Sequence, residues 1–374
     1  MIPITRLSVG EEEALAAADV VRSGWLTTGK RGQEFEAAVA GYVGARHGIA
    51  VNSCTTALHL ALVAAGVRPG DEVICPSFSF IATANAAVYV GATPVFADVE
   101  PVTGNLTAET VSAVLSDRTR AVIAVDQGGV PVDLDALRAV CDPRGVVVVE
   151  DAACAAGSTY RGRPVGAGAD IAAWSFHPRK ILTTGEGGMI TTSRADWADR
   201  ARRLREHAMS VSAADRHASV ISPPEEYTEV GFNFRMTDLQ AAVGIVQLSR
   251  LPEVVDRRRA LASSYTKAIE EIDGLRAVAD PGHGTCNFQS FWVEVQPGYP
   301  LDREELLLDL AEADISARRG IMASHRQPAY AHVEVDLPVT EHLTDNTLIL
   351  PLFHQMSDSD QARVIETLRM AALR

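Results

Sequence analysis

Lysine is the scarcest charged residue in this sequence of 374 residues. Lysine and arginine together number 34, yet lysine occurs only as Lys30, Lys180 and Lys267. Arginine therefore supplies almost all of the positive charge, and its guanidinium stays protonated, whereas a lysine amine can lose its proton and act as a nucleophile. A lysine in a glycine-flanked stretch is thus a candidate for chemistry that arginine cannot perform.

Acidic residues outnumber basic ones, since 48 acidic against 34 basic residues give a net charge of −14. Such a balance argues against a nucleic-acid partner. The five cysteines show no Cys-x-x-Cys spacing, so we expect neither a disulfide framework nor a metal site. No apolar run is long enough to cross a bilayer, and no signal peptide is visible. We therefore expect a cytoplasmic protein without a membrane partner.

From Val51 to Thr192, short β-rich runs alternate with helical patterns, as in repeated βα units. The run 145–150 is β-branched without polar alternation, which is typical of a strand buried on both faces. The sequence therefore predicts an α/β fold with a mostly parallel sheet flanked by helices.

After Thr237 the pattern changes to a helix over 238–247, an interruption at Pro252, and a charged helix over 253–272. We therefore place a domain boundary near residue 250. This predicts a large domain over residues 1–250 and a smaller C-terminal α/β domain over 251–374.

Three features carry chemistry. Asp151 lies at the carboxyl end of the predicted buried strand, where open α/β sheets bind ligands, although alone it is more typical of a helix cap or a salt-bridge partner. Lys180 stands between a strand ending at Ser175 and a glycine-rich turn, where an amine of lowered pKa attacks aldehydes. Thr55 and Thr56 precede a helix whose N-terminus favours an anion, or they simply cap it. Together these features describe a site for pyridoxal 5′-phosphate (PLP).

Eight segments then resemble, in order and over nearly the whole chain, the DegT/DnrJ/EryC1/StrS family of PLP-dependent sugar aminotransferases. They are residues 24–29, 53–61, 76–83, 91–95, 150–153, 175–188, 231–240 and 350–352. The resemblance implies the fold-type I architecture and a cofactor that alternates between PLP and pyridoxamine 5′-phosphate.

The resemblance also implies a role for individual residues. Lys180 would carry the cofactor, Asp151 would pair with its ring nitrogen, and Phe80 would stack on its ring. Asn233 would reach the phosphate site of a second subunit, which implies a homodimer with shared active sites. The cofactor phosphate would be held by three hydroxyl-bearing residues: Thr55, Thr56 and Ser175.

Two residues depart from the family pattern. Cys54 stands where the family often has glycine, and Cys154 stands where glutamine or histidine commonly lies beside the phenolic oxygen of the cofactor. A thiol is a weak hydrogen-bond partner, so that contact is either lost or made by another group.

The segment 318–326 falls in a region that the family uses around the nucleotide-sugar. His325 is a candidate substrate residue there, and Arg318, Arg319 or Arg326 could pair with a diphosphate, or could equally be solvated. The loops around 206–230 and 316–330 are expected to set which sugar is bound.

The resemblance thus implies transfer of an amino group from glutamate or glutamine to a keto sugar, such as a nucleotide-activated 3- or 4-keto-6-deoxy sugar of antibiotic or polysaccharide biosynthesis. A keto-cyclitol substrate is an alternative. A dehydratase is a second one, but Lys180 argues against the sugar 3-dehydratase branch, which has histidine at that position. A non-catalytic sensing module would need an appendage that this acidic chain does not show.

Overall fold

The computed structural model describes residues 1–211 and 224–374, so part of the predicted sugar loop 206–230 lies outside the described residues. The helices of the described part are α1 (Glu11–Ser23), α2 (Lys30–Val43), α3 (Cys54–Ala64), α4 (Ala82–Tyr89), α5 (Ala108–Ser112), α6 (Leu134–Cys141), α7 (Ala195–Leu204), α8 (Asp238–Ile269), α9 (Arg303–Glu312), α10 (Pro338–Asn346) and α11 (Asp358–Ala371). None of these helices is both long and apolar enough to traverse a lipid bilayer.

The strands of the described part form three sheets. They are β1 (His47–Val51), β2 (Glu72–Pro76), β3 (Thr93–Ala97), β4 (Thr119–Val125), β5 (Val147–Asp151), β6 (Thr159–Tyr160), β7 (Arg163–Pro164), β8 (Ile171–Ser175), β9 (Gly188–Thr192), β10 (Leu275–Ala277), β11 (Gly284–Thr285), β12 (Phe291–Val295), β13 (Arg318–Arg319) and β14 (Thr347–Leu350).

The largest sheet has seven strands in the order β1-β9-β8-β5-β4-β2-β3. Strand β9 runs antiparallel to both of its neighbours, and the other neighbouring pairs are parallel. The prediction of an α/β fold with a mostly parallel sheet is therefore confirmed.

Strand β5 shows why this sheet needs helices on both faces. Val148 and Val149 are both fully buried, but they point to opposite faces of the pleat and pack into different apolar clusters. Val149 joins Leu58 of α3 on one face, and Val148 joins Leu137 of α6 on the other. Burying such a side chain contributes about 1.5–3 kcal/mol, so the run without polar alternation stabilises a central strand.

A four-stranded antiparallel sheet, in the order β10-β12-β14-β13, lies further along the chain. Its apolar cluster joins Phe291 of β12 and Leu348 of β14 to Tyr265 of α8 and Leu368 of α11. Strand β12 and helix α9 give this part of the chain an α/β pattern of its own.

The predicted interruption at Pro252 is wrong, because α8 runs without a break from Asp238 to Ile269. A proline inside a helix removes one hydrogen bond and costs about 3 kcal/mol. Leu251 and Val255 on either side of it are both buried, so packing offsets that cost. The helix begins with a capping box between Thr237 and Gln240.

Candidate active site

Neighbouring strand ends of the large sheet bring Ser175 beside the first turn of α3. In the register of the sheet, Gly188 of β9 lies opposite Val51 of β1 on one side and opposite Ser175 of β8 on the other. A side chain at Gly188 would meet the Ser53 carbonyl carbon at 2.5 Å, so only glycine allows the strand to lie this close to the start of α3. The sheet therefore places the Ser175 hydroxyl and the α3 N-terminus at one edge.

Neither Thr55 nor Thr56 caps α3. The N-cap is Ser53, whose Oγ accepts a hydrogen bond of 3.2 Å from the Thr56 backbone N–H. The Thr56 hydroxyl donates to the Asn52 Oδ1 and to the Ser53 carbonyl oxygen, both at 2.8 Å. Within the described residues the Thr55 hydroxyl makes no hydrogen bond, which leaves it available to an anion at the helix N-terminus.

Asp151 is the last residue of β5, and only 4% of it is exposed. Its Oδ2 accepts a hydrogen bond of 3.0 Å from the Thr83 Oγ1, and its Oδ1 accepts one of 3.2 Å from the Ala153 N–H. Burial raises the pKa of the Asp151 carboxyl, and these two donors and the charge of Lys180 offset the increase only in part. A cation placed beside Asp151 would lower that pKa again.

Lys180 faces the same region and donates a hydrogen bond of 3.0 Å from its Nζ to the Cys154 Sγ. Burial lowers the pKa of the Lys180 amine, but Cys154, Cys54 and Asp151 around it outweigh that effect and raise the pKa overall. Burial raises the pKa of the Cys54 thiol well above its ordinary value. Cys54 and Cys154, the two residues that depart from the family pattern, therefore both lie close to Lys180.

Four residues that the sequence did not predict hold these groups. The Thr83 hydroxyl that donates to Asp151 also pairs with the Ser79 Oγ at 2.9 Å. The side chains of Asn287 and Gln289 bind the backbone next to Cys154 and next to Lys180. Thr83 lies in a segment that resembles the family, but no residue pattern pairs it with Asp151. Asn287 and Gln289 carry no motif and lie more than 100 residues away from the groups they bind.

The remaining residues assigned to the cofactor are open to solvent. Phe80 follows Ser79 and is 69% exposed, as an aromatic ring that covers a cleft would be. Asn233 is exposed too, and its backbone forms a β-bridge with Glu206. A ring at Phe80 and an amide at Asn233 are therefore free to meet a molecule outside the chain.

The predicted substrate residues make other contacts within the chain. His325 is buried, and its two ring nitrogens contact the Ser77 Oγ at 2.7 Å and the Glu341 Oε1 at 3.1 Å, so no polar atom of the ring remains for a substrate. Arg318 and Arg319 form the exposed edge strand β13, where Arg319 pairs with Glu304. In the described part of the chain, no hydrogen bond or ion pair links these three residues to Lys180 or Asp151.

The residues present fit PLP. Lys180 offers an amine to an aldehyde, and the buried Asp151 carboxylate offers a partner to a protonated ring nitrogen. Ser175, Thr55 and the α3 N-terminus lie at one edge of the sheet, where backbone N–H groups and hydroxyls favour a phosphate. The same arrangement would not serve a dinucleotide, because the turn after β1 lacks a glycine-rich loop.

Comparison with known proteins gives the same fold and chemistry. The sequence model of the DegT/DnrJ/EryC1/StrS aminotransferase family matches residues 8–369. The spore coat polysaccharide biosynthesis protein SpsC of Bacillus subtilis (strain 168) is 40% identical over 375 residues, which cover 98% of this chain and 96% of SpsC.

Two solved structures have the same architecture. Spr1654 of Streptococcus pneumoniae, solved in a pyridoxamine-phosphate form, is 27% identical with a TM-score of 0.94, over 100% of this chain and 99% of that one. The same protein has also been solved in a PLP form. DesI, solved in the presence of its TDP-sugar product, is 32% identical with a TM-score of 0.89, over 100% of this chain and 93% of that one.

Proposed function

Because the chain belongs to the DegT/DnrJ/EryC1/StrS aminotransferase family and is a PLP-dependent aminotransferase, we propose that it transfers an amino group from glutamate or glutamine to a nucleotide-linked keto sugar. The observation that supports the site assignment is the hydrogen bond of 3.0 Å from the Lys180 Nζ to the Cys154 Sγ, because Cys154 follows Asp151 by only three residues after the end of β5. The charge of Lys180 also lowers the pKa of the buried Asp151 carboxyl, against the larger effect of burial.

Bound PLP supplies an aldehyde that condenses with amines and a protonated ring that draws electrons away from an adjacent carbon. The Lys180 Nζ would hold the cofactor until the amino donor replaces it. The freed Nζ would then accept the proton that leaves the α-carbon of the donor, and it would donate that proton one step later. When the keto sugar receives the nitrogen, the same Nζ would move a proton in the opposite direction.

Asp151 would keep the proton on the ring nitrogen of the cofactor. Its carboxylate is suited to this, because burial strengthens its interaction with a cation and two hydrogen bonds fix its orientation. Ser175, Thr55 and the first turn of α3 would bind the phosphate, and Phe80 would cover the ring. Thr56 would support this site indirectly, since its backbone N–H already donates to the Ser53 Oγ and its hydroxyl to Asn52.

Relatives support the choice of a nucleotide-linked sugar. SpsC is a polysaccharide biosynthesis protein, and DesI was solved with a TDP-sugar product. We propose a 3- or 4-keto-6-deoxy sugar as the acceptor, and an amino sugar for a polysaccharide or an antibiotic as the product. Because His325 is occupied by Ser77 and Glu341, we propose that it shapes the loop rather than touching the sugar.

An assay of paired substrates tests this proposal. The purified protein is incubated with glutamate or glutamine and with nucleotide-linked 3-keto and 4-keto sugars, and the amino sugar and the 2-oxo acid are measured. A Lys180→Ala variant is the control. Amination of a nucleotide sugar by the wild type only supports the proposal. Amination of a keto-cyclitol alone, or equal activity of the Lys180→Ala variant, contradicts it.

We also propose that residues 1–250 form a large cofactor-binding domain and residues 251–374 a smaller one. In support, the seven-stranded sheet spans residues 47–192 and the four-stranded sheet spans residues 275–350. The boundary falls inside α8, so this helix would join the two domains rigidly. A cytoplasmic location is supported by five free cysteines, which suit a reducing compartment.

We further propose a homodimer in which Asn233 completes the phosphate site of the partner subunit. The support is that Asn233 is exposed while its backbone is held by the bridge to Glu206. A side chain that is exposed but fixed at its backbone can contact a second subunit without a large loss of conformational entropy.

A further inference from the structure

A short segment of the C-terminal part of the chain, Asn287 to Gln289, contacts the loop that carries Lys180. The Gln289 Nε2 donates a hydrogen bond of 2.8 Å to the Arg179 carbonyl oxygen, and the Gln289 Oε1 accepts one of 2.9 Å from the Ile181 N–H. These two backbone groups stand immediately before and after Lys180. One side-chain amide therefore pairs with the backbone on both sides of the lysine, as a neighbouring strand would.

The same segment also fixes the partner of the lysine side chain. Asn287 is fully buried, and its Nδ2 donates to the carbonyl oxygens of Cys154 and Ala156, both at 2.8 Å. The Asn287 Oδ1 accepts a hydrogen bond of 2.7 Å from the Gln289 N–H. Asn287 and Gln289 therefore hold the backbones at the two ends of the contact between the Lys180 Nζ and the Cys154 Sγ.

The long helix α8 anchors this segment from behind. Arg258 is 4% exposed, and its guanidinium donates to the Phe288 carbonyl oxygen at 3.1 Å and to the Gln289 carbonyl oxygen at 3.0 Å. Phe288 has a φ of 52°, which is rare for a bulky residue and persists only where the surroundings enforce it. The segment is thus held in one conformation that presents Gln289 to the lysine loop.

We propose that Gln289 is a positioning residue that sets the backbone of Lys180, and through it the reach of the Nζ toward the cofactor and the substrate α-carbon. This inference rests on the role proposed for Lys180. An amine that attacks an aldehyde and then moves a proton must stay within hydrogen-bond reach of both atoms, and small misplacements of such groups cost large factors in rate. Two hydrogen bonds from one amide restrict the loop in which that amine is mounted.

Hydrogen exchange of the cofactor-free protein tests the proposal without depending on activity. Gln289→Leu removes both bonds at nearly constant size, and we expect peptides covering residues 179–183 to exchange at least about tenfold faster. The matched control is Gln361→Leu, which removes a buried bond of 2.7 Å to the Leu261 carbonyl oxygen in the C-terminal part. Exchange of 179–183 should be unchanged in that control.

Kinetics of the loaded enzyme give the second readout. For Gln289→Leu we expect kcat to fall about tenfold or more while the KM for the amino donor changes less than about twofold. Gln289→Glu separates positioning from a loss of packing. When protonated, its carboxyl can donate to Arg179 and accept from Ile181, but once ionised it loses the donor. Its exchange protection and kcat should therefore fall with rising pH relative to the wild type.

Unchanged exchange and unchanged kcat in Gln289→Leu would overturn the proposal, and so would an equal loss in Gln361→Leu. If Gln289→Leu fails to fold, the nearly isosteric Gln289→Glu variant is the test. Exchange protection and kcat of this variant that change with pH in parallel with those of the wild type would overturn the proposal. If the proposed function itself is wrong, Lys180→Ala retains transamination. That outcome does not change the hydrogen exchange expected for Gln289→Leu.

Discussion

The amine of Lys180 donates a hydrogen bond of 3.0 Å to the sulfur of Cys154. A hydrogen bond accepted from an ammonium group favours the charged form of the amine, and the surroundings of Lys180 do raise its pKa although burial opposes this. The amine must be neutral to attack an aldehyde. Cys154 therefore holds the Lys180 side chain in place, but it also raises the pH at which the amine becomes neutral.

Replacement of Cys154 should shift the pH dependence of cofactor loading. Cys154→Ala removes the acceptor and lowers the pKa of Lys180, so cofactor-free protein should take up PLP with a rate profile moved to lower pH. Stopped-flow absorbance after mixing with PLP measures this. Cys141→Ala is the control, because Cys141 is buried in α6 and joins a different apolar cluster. Identical profiles for wild type and Cys154→Ala would contradict the expectation.

Removal of the Thr83 hydroxyl should weaken cofactor binding through Asp151. Without this donor the pKa of Asp151 rises further, and its carboxylate pairs less well with the ring nitrogen. A hydrogen bond to a charged group contributes about 1.5–3 kcal/mol, so Thr83→Val should raise the Kd for PLP between about tenfold and a hundredfold. Asp151→Asn removes the charge of the carboxylate, so it should raise the Kd for PLP further.

Thr340→Val supplies the matched control for that measurement. Thr340 is fully buried, and within the described residues its hydroxyl has no hydrogen-bond partner. Thr340→Val therefore replaces a hydroxyl by a methyl group, as Thr83→Val does, but breaks no hydrogen bond. The Kd for PLP should stay at the wild-type value. Equal affinities of Thr83→Val and Thr340→Val would show that the Thr83 bond does not support the cofactor.

Stability should fall from weakly acidic to neutral pH because of Glu150. Burial raises the pKa of Glu150 to about 7, and the Gly166 N–H offsets this only in part. A carboxyl whose pKa is raised in the folded protein contributes stability that is present below its unfolded pKa and is lost as the pH rises through the folded value. That window extends from about 4.5 to about 7 for Glu150.

Glu150→Gln removes this dependence while keeping an oxygen that can accept from Gly166. The free energy of unfolding of the cofactor-free variant should exceed that of the wild type at pH 8 by up to about 3 kcal/mol, since a tenfold change in proton affinity corresponds to about 1.4 kcal/mol. The difference should shrink near pH 5. Urea unfolding at both values measures it, and a constant difference would show that Glu150 does not titrate in this window.

Complementation between inactive variants should reveal a shared site. Lys180→Ala and Asn233→Ala should each be nearly inactive alone, because each removes one contribution to the same site. When the two are mixed and allowed to exchange subunits, one site of each mixed dimer should contain both native residues. Transamination should then recover to about a quarter of the wild-type level when equal amounts are mixed, as expected for random pairing of subunits. No recovery despite subunit exchange would place Asn233 outside the partner's site.

The fold and the chemical class could be predicted because they depend on local patterns. The β-branched run at the centre of the sheet is recognisable without its neighbours, and so is the lysine among glycines at position 180. Pro252 misled the prediction of α8, because the cost of a proline is local whereas the packing of Leu251 and Val255 that offsets it depends on the tertiary structure.

The supporting contacts of the site could not be predicted for a related reason. Thr83 is 68 residues from Asp151, and Gln289 is 108 residues from Ile181. Neither residue type in its local sequence indicates a hydrogen bond across that separation. The contacts that use both ring nitrogens of His325 could not be predicted either, because Ser77 lies 248 residues away from it along the chain.

The most direct test of the account is the identity of the residue that binds the cofactor. The PLP-loaded protein is reduced with borohydride, digested, and analysed by mass spectrometry for the peptide that carries the added mass. With lysine only at positions 30, 180 and 267, the result is unambiguous. We expect modification of Lys180 alone, and loss of the modification in Lys180→Ala. Modification of Lys30 or Lys267 instead, with Lys180 unchanged, would contradict it.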